Sequence, residues 1–372
     1  MVRSDLNALL VTGDFTSSLN YRYLSGHLPR DFQSNFSRPH ILLLPREGDP
    51  VLIAYVLTEK DAQAASWVKD IRSYTQPFSF EIVRDAIRDL GLQRGRIGVE
   101  LGVEHRLALP YAEFEKLRRA FPEAGFEDAS DLLWSMRMIK SPREVECIAK
   151  ADEINIGALE HCFNHLHEGD TEIDAAKLVV TYMVEHGAYR PPHSQVIVNS
   201  GPEWRTGFPA PKEKVLKRGD LIFIDSGCII NSYWGEFNRM ASVGPASDRQ
   251  KRNHQRILKI MQATITEDIK AGVRSSDLMR SFLRRYKDQG LDPPDYYAQY
   301  PYMHLCHGVG LQGSEPPFIR IDNDMKLQPG MTLSVEAYLK DVENYGSEED
   351  ILVTEDGCKV LSSMDQGLYT VR

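Results

Sequence analysis

Two hydrophobic periods divide this chain. Up to about residue 135, short apolar runs alternate with segments of helical spacing. NALLVTG (7–13) predicts a strand, and HILLLP (40–45) and PVLIAYV (50–56), flanking REGD, predict a hairpin. EIVRDAIRDLGL (81–92) predicts a helix ending near Gly95, RIGVEL (96–101) a buried strand, and AEFEKLRRAFP (112–122) a helix stopped at Pro122. This reads as an α/β unit that buries a core and carries no metal-type cluster.

RMIKSPREVECIAKADEINIGALEHCF marks the next boundary. Ser141 and Glu144 make a capping box with Pro142 at the first helical position, and Val145, Ile148, Ala149, Ala151 and Ile154 follow at helical spacing. Further helices are predicted from Thr171, in RQKRNHQRILKIMQATITEDIKAG and in SSDLMRSFLRRYKDQG. Strand-like runs lie between and after them: SQVIVNSG, DLIFIDSGCII, MASVG, MTLSVEAYL and EDILVTEDG. Helices grouped with antiparallel strands indicate an α+β layer. The expected division is residues 1–135 and 136–372, within the range for two domains.

Composition narrows the partners. Apolar residues make up 42% and charged residues 26%, ordinary for a globular protein. The net charge of −9 argues against nucleic acid or an anionic membrane, both of which need a basic face. There is no apolar run of membrane-spanning length, and the first residues lack a secretory signal pattern, so a cytoplasmic location is expected. The five cysteines, Cys147, Cys162, Cys228, Cys306 and Cys358, are widely spaced and suggest neither a disulfide framework nor a zinc–thiolate site. Cys306 adjoins His307 and has the type of a nucleophile, although a buried free thiol is the commoner state.

Candidate chemistry is confined to the second half. Asp225 ends the apolar run LIFI, and Glu236 follows eleven residues later, past a turn-like CIINS; a hairpin of that length can bring both carboxylates to one face. His307 precedes Gly308-Val309-Gly310, where glycines permit close approach of backbone and ligand. Glu336 interrupts the alternation of TLSVEAYL and needs a partner there. Glu348 stands before Asp350 at the start of another apolar strand. Each residue alone reads equally as a cap, a solvated side chain or a structural histidine. Together, carboxylates and one imidazole on successive strands form an oxygen-rich set suited to divalent metals that activate water.

In this order the segments resemble the creatinase, prolidase and methionine aminopeptidase superfamily, the pita-bread metallopeptidases. Its pattern is D-x-G…G-Y-x-x-D-x-T-R, H-G-x-G-L-x-x-H-E, G-M…E-P and R-x-E-D or R-E-x-D. The matching residues are Asp225-Ser-Gly227, Tyr233 to Glu236 and Arg239, His307 to Glu315, Gly330-Met331…Glu336, and Glu348-Glu-Asp350. RMIKSPREVECIAKA resembles the domain boundary of these enzymes, and LLVTGDFTSSLNYRYLSG their first strand and loop. The resemblance implies a pita-bread C-terminal domain behind a smaller α/β creatinase-like N-terminal domain. It implies two divalent metal ions (Mn, Co, Zn or Fe) held by Asp225, Glu236, His307, Glu336 and Glu348. A hydroxide between them would attack an amide or peptide carbonyl, as in Xaa-Pro peptidases. Glu336 matches the residue that handles the proton, His307 and Glu236 are the other candidate catalytic groups, and Arg239 is expected in an ion pair behind the ligands. A homodimer acting on a short peptide or other small molecule is implied as well. In these relatives a helix usually precedes SDLNALLV, so the chain is expected either to begin late or to lack that helix.

The departures from the pattern bear on substrate. Glu236 stands where Asp is usual. Ser314 stands where the proline-specific relatives carry a second histidine, Phe208 near a further histidine, and Ser347 where arginine is expected before the last carboxylate. Losing one oxyanion donor costs on the order of 100-fold or more. His193, His304, Tyr233, Trp234 and Ser314 are the candidate substrate contacts, with loop, packing or structural roles as the alternatives; Trp204 and Arg205 add to a possible cation-binding wall. Two other readings stand beside the metallohydrolase. One is a metal-poor creatinase-, ectoine-hydrolase- or lyase-like enzyme using Glu236 and His307. The other is an inactive member with a binding role.

Overall fold

The structure is a computed structural model that describes residues 1–14, 19–28, 38–188, 196–202, 210–294, 305–341 and 343–372. It divides into two compact units, Met1–Met136 and Arg137–Arg372. Among the described residues no helix is long and apolar enough to cross a membrane.

The first unit contains β1 (Ala8–Gly13), α1 (Leu19–Ser25), β2 (His40–Pro45), β3 (Val51–Tyr55), α2 (Glu59–Ala65), β4 (Asp70–Tyr74), α3 (Glu81–Asp89), β5 (Arg96–Val99), α4 (Tyr111–Ala120) and β6 (Gly125–Asp128). Helix α5 (Ser130–Met138) ends just past the division. The strands form one mixed sheet in the order β4-β3-β2-β1-β5-β6, with β2–β3 the expected antiparallel hairpin. HILLLP is apolar on both sides because both faces of the sheet are covered. Leu10, Ile41, Leu43 and Ile53 pack with α3 and α4, while Leu9, Val11, Leu42 and Leu52 pack with residues of α1, α2 and α5.

The second unit contains α6 (Pro142–His165), α7 (Glu172–Glu185), β7 (Val196–Ser200), β8 (Leu221–Ile230), β9 (Tyr233–Val243), α8 (Asp248–Ala263), α9 (Ser275–Asp288), β10 (Cys306–Gly308), β11 (Thr332–Lys340), β12 (Asn344–Val353), β13 (Cys358–Val360) and β14 (Tyr369–Val371). The predicted capping box starts α6: Ser141 Oγ accepts from the Glu144 amide and the Glu144 carboxylate accepts from the Ser141 amide. Two four-stranded sheets result, β14-β9-β8-β7 and β10-β11-β12-β13. On the first sheet, Ile222, Ile224, Phe237 and Ala241 pack against α6 and α7. Leu221, Phe223 and Met240 join a second core with Leu333, Val335, Ile351, α8 and α9.

Two local expectations change. CIINS is not a turn: β8 runs on to Ile230, and the reversal is made by Asn231 and Ser232 alone, both at positive φ (50° and 82°). Asp225 therefore lies inside a strand, not at its end. Glu348 likewise lies within β12, which begins at Asn344. β-Branched and aromatic residues flanking the polar positions carry these strands through them.

Candidate metal centre

Strand register sets the site. In the β8–β9 ladder Gly227 pairs with Glu236 and Asp225 with Asn238. Residues two apart share a face, so Asp225, Glu236 and Asn238 project together. Gly227 permits this pairing, since a Cβ there would lie 2.7 Å from the Glu236 Cβ and 2.8 Å from the Gly235 carbonyl. In the other sheet His307 pairs with Ser334, Ser334 with Asp350, and Glu336 with Glu348. Three adjacent strands thus present His307, Glu336 and Glu348 on one face.

The two sets meet. His307 Nε2 lies 3.2 Å from Glu336 Oε1 and 3.7 Å from Glu236 Oε1. Glu236, His307 and Glu348 each offer a ligand atom within 4.8 Å of the others. Asp225 joins them electrostatically: burial first, then repulsion from Glu236 and Glu336, pushes its carboxyl well above the usual range. Glu348 is pushed up by burial and by Asp225, Glu336 and Glu236. Burial raises Glu236 to about 7, the pull of His307 only partly opposing it. Burial pulls the His307 imidazole down, but its hydrogen bond to Glu336 and the charges of Glu336 and Glu236 outweigh this and push it up to about 10. Buried carboxylates that repel one another around one imidazole fit divalent cations, which supply the missing positive charge. His307 Nδ1 faces the Gly308 carbonyl at 3.1 Å, which leaves Nε2 turned to the carboxylates.

Side chains that the sequence reading passed over hold this group. Asn238 Nδ2 donates to Glu348 Oε2 at 2.8 Å, and Ser334 Oγ donates to Glu348 Oε1 at 2.7 Å. Tyr338 Oη donates to Glu336 Oε2 at 2.8 Å. The Glu236 amide donates to Asp350 Oδ2 at 3.0 Å. Period-two spacing from Glu236, Glu336 and Glu348 would have found Asn238, Ser334, Tyr338 and Asp350. Arg239 is paired as expected: Nη2 lies 2.7 Å from Glu349 Oε1, and Nη1 donates to the Glu348 carbonyl at 2.8 Å.

The candidate substrate contacts fare differently. His193 and His304 lie outside the described residues, as do Trp204, Arg205 and Phe208. Tyr233 and Trp234 pack against Ile148, Val309 and Leu361, and Tyr233 Oη donates to Glu144 Oε1 at 2.8 Å. They are not drawn into the carboxylate group. Ser314 is exposed, while the adjacent Glu315 is buried between Arg137 and Lys140, with Lys140 Nζ at 2.9 Å. Gly308 and Gly310 make room for this loop and ion pair rather than for a ligand: added Cβ atoms would meet Pro316 and the Glu315 carboxylate. Cys306 is fully buried, and burial pushes its thiol well up, away from a reactive thiolate.

Residues 146–355, more than half of the chain, match the model of metallopeptidase family M24. The chain belongs to metallopeptidase family M24. Residues 1–139 match the creatinase/prolidase N-terminal domain. An Xaa-Pro dipeptidase of Pyrococcus horikoshii is 28% identical over 72% of this chain and 74% of its own length. One from Lactobacillus helveticus is 24% identical over 95% and 96%. Among solved structures, an Xaa-Pro dipeptidase from Bacillus anthracis superposes with a TM-score of 0.84 at 22% identity, covering 100% of this chain and 96% of that one. An X-Pro aminopeptidase from Thermotoga maritima gives 0.82 at 25% identity, covering 100% and 97%. The fold is the pita-bread fold of the prolidases, with a separate N-terminal domain. This M24 member is a metal-dependent hydrolase, a reading its relatives favour over the metal-poor creatinase-, ectoine-hydrolase- or lyase-like alternative.

Proposed function

We propose that this M24 chain is a dinuclear metallopeptidase that cleaves the peptide bond of short Xaa-Pro substrates, with Asp225, Glu236, His307, Glu336 and Glu348 as its ligands. The observation that carries the reading is the convergence of these five side chains from five strands, β8 to β12, on one buried group. Four carboxylates, fully ionised, offset the charge of two divalent cations and leave His307 a neutral ligand. An oxygen-rich set with one imidazole suits Mn or Fe, with Co and Zn as the other candidates.

When bound, such a pair of cations makes water nucleophilic near neutral pH and stabilises developing oxyanion charge. The chain supplies the rest. Glu336 is positioned to take a proton from the attacking water and return it to the leaving amine. Tyr338 fixes Oε2 of that carboxylate. Asn238 and Ser334 take one oxygen each of Glu348 and set its plane. Glu236, one methylene longer than the usual Asp, reaches the group because Gly227 allows its strand to approach.

A short peptide is the proposed partner because the relatives named above are Xaa-Pro dipeptidases. A homodimer follows the commonest symmetry of such proteins. Five free thiols suit the reducing cytoplasm. The test is a panel of Xaa-Pro dipeptides, Xaa-Ala dipeptides and Xaa-Pro tripeptides, assayed with and without chelator. Preferential Xaa-Pro cleavage that disappears on chelation is expected. Cleavage indifferent to the chelator sinks the metal reading, and indifference to proline sinks the substrate.

A further inference from the structure

Imidazoles gather at a second place in the chain, the C-terminal end of α6. His161 and His165 stand four residues apart and so share one face of that helix. Their ring centroids lie 4.1 Å apart. Tyr182 of α7 packs against His161 with centroids 5.4 Å apart, and His186, just past α7, stacks on Tyr182 at 3.7 Å. Glu185 and His186 both bear on His161 electrostatically, so the last turn of α7 lies beside the pair. None of these groups belongs to the carboxylate centre. α6 touches the strand that carries Glu236 at Asp152, and His161 lies nine residues further on, about 14 Å along the helix axis.

The rings are held in place. A Cβ on Gly157 would run into Tyr182 Oη and lie 2.8 Å from its Cε1 and Cζ, so glycine is what lets Tyr182 lie on α6 one turn before His161. His165 Nδ1 donates to the His161 carbonyl at 2.8 Å. That bond fixes the tautomer and leaves the lone pair on Nε2, the arrangement usual in histidines that bind metal. Imidazoles at i and i+4 on one helical face can reach a single ion, as in helices that carry zinc through two histidines at this spacing. The pair also falls near the C-terminus of α6, where the helix end favours a cation. His165 is exposed and His161 half-buried, so the face is open to solvent. Packing alone would be served as well by phenylalanine; what imidazole adds at these positions is a ligand nitrogen.

We propose that His161 and His165 form a further metal site, which binds one borderline divalent ion, Zn²⁺, Ni²⁺ or Cu²⁺, with Glu185 as its third ligand and water completing the shell. Two imidazoles and a carboxylate are donors that such ions accept, whereas Mg²⁺ and Ca²⁺ take oxygen ligands. A bound ion ties α6 to α7. The site is independent of the dinuclear centre and of its substrate.

The test titrates Ni²⁺ into the untagged full-length protein as purified and reads stoichiometry and affinity by calorimetry. Wild type is compared with His161→Gln, His165→Gln, Glu185→Gln and, as a control, His167→Gln, which removes an exposed histidine just past the helix. None of the four is a core position. Ni²⁺ taken up by the carboxylate group is common to all five proteins and subtracts out. We expect wild type and His167→Gln to bind one Ni²⁺ per chain that His161→Gln and His165→Gln bind about 10- to 100-fold more weakly or worse, since losing a ligand costs no less than losing the group that orients one. Glu185→Gln is expected to weaken the same ion by a smaller factor, with water taking the place of the carboxylate. The same isotherm in wild type, His161→Gln and His165→Gln overturns the proposal and leaves the rings a packing contact. A loss in His167→Gln equal to that in His165→Gln also overturns it, because the ion would then sit on scattered surface histidines. An unchanged isotherm in Glu185→Gln overturns the part given to Glu185.

Discussion

At the scale of single residues, the candidate centre depends on side chains that each hold a ligand in one orientation. Tyr338 shows the logic most simply: it lies two residues after Glu336 on β11, and its hydroxyl donates to Glu336 Oε2 at 2.8 Å. A hydrogen bond to a charged group contributes about 1.5–3 kcal/mol. Tyr338→Phe removes one oxygen and little volume, so we expect a folded enzyme whose kcat falls by about 10- to 100-fold with KM changed far less. Steady-state kinetics on a cleaved dipeptide decide it, and an unchanged kcat would show that Glu336 needs no such support. The five ligand candidates were legible in the sequence because each interrupts an apolar strand pattern or stands beside glycines. Tyr338 and Asn238 were not, because tyrosine and asparagine at strand positions also serve packing and turns, and only register shows what they face.

At the scale of elements, most helices and strands with strong periodicity were legible along the chain, and the capping box placed the start of α6 correctly. The β8–β9 hairpin was shortened in the reading on its second strand, read only as MASVG, because Glu236, Asn238 and Arg239 interrupt the apolar pattern of a strand that begins at Tyr233. β10 was missed because it is only three residues long and carries His307 at its centre. In the first unit, α1, β2 and the turn after β3 enclose a polar cluster that no period announces. Tyr21 Oη and His27 Nδ1 lie 2.9 Å apart, and His40 Nε2 lies 2.7 Å from Thr58 Oγ1. Burial, opposed by Asp61, lowers His27 to about 4, and burial together with His27 lowers His40 to about 3. Both fall below the 6.5 of a free imidazole, so between these limits the unfolded chain binds more protons than the folded one. Their contribution is therefore intact above about pH 6.5 and is lost as pH falls toward 4. From pH 7 to 5 this amounts to roughly 2 kcal/mol per imidazole. Hydrogen exchange in β1–β3 should show this loss in the wild type and a smaller one in His40→Gln. Equal losses in the two proteins would mean the imidazole is not the source.

At the scale of the whole molecule, the residues of the candidate centre all belong to the second unit. The first unit buries its sheet on both faces, and none of its described residues belongs to the carboxylate group. The second brings two four-stranded sheets together so that β8–β9 and β10–β12 present the candidate ligands to each other, with α6 behind one sheet and α8 and α9 behind the other. The α+β character of the second unit could be read from the pattern of runs. The meeting of two separate sheets could not, because strand order within a sheet leaves no local trace. The central claim is that these buried, mutually repelling carboxylates exist to hold two cations. Elemental analysis of gently purified protein, before and after chelation and dialysis, tests it directly. The account predicts close to two Mn, Fe, Co or Zn per chain, with peptide cleavage lost on stripping and regained when metal is returned. An intact protein that carries no metal, takes up none and still cleaves its substrate would contradict it.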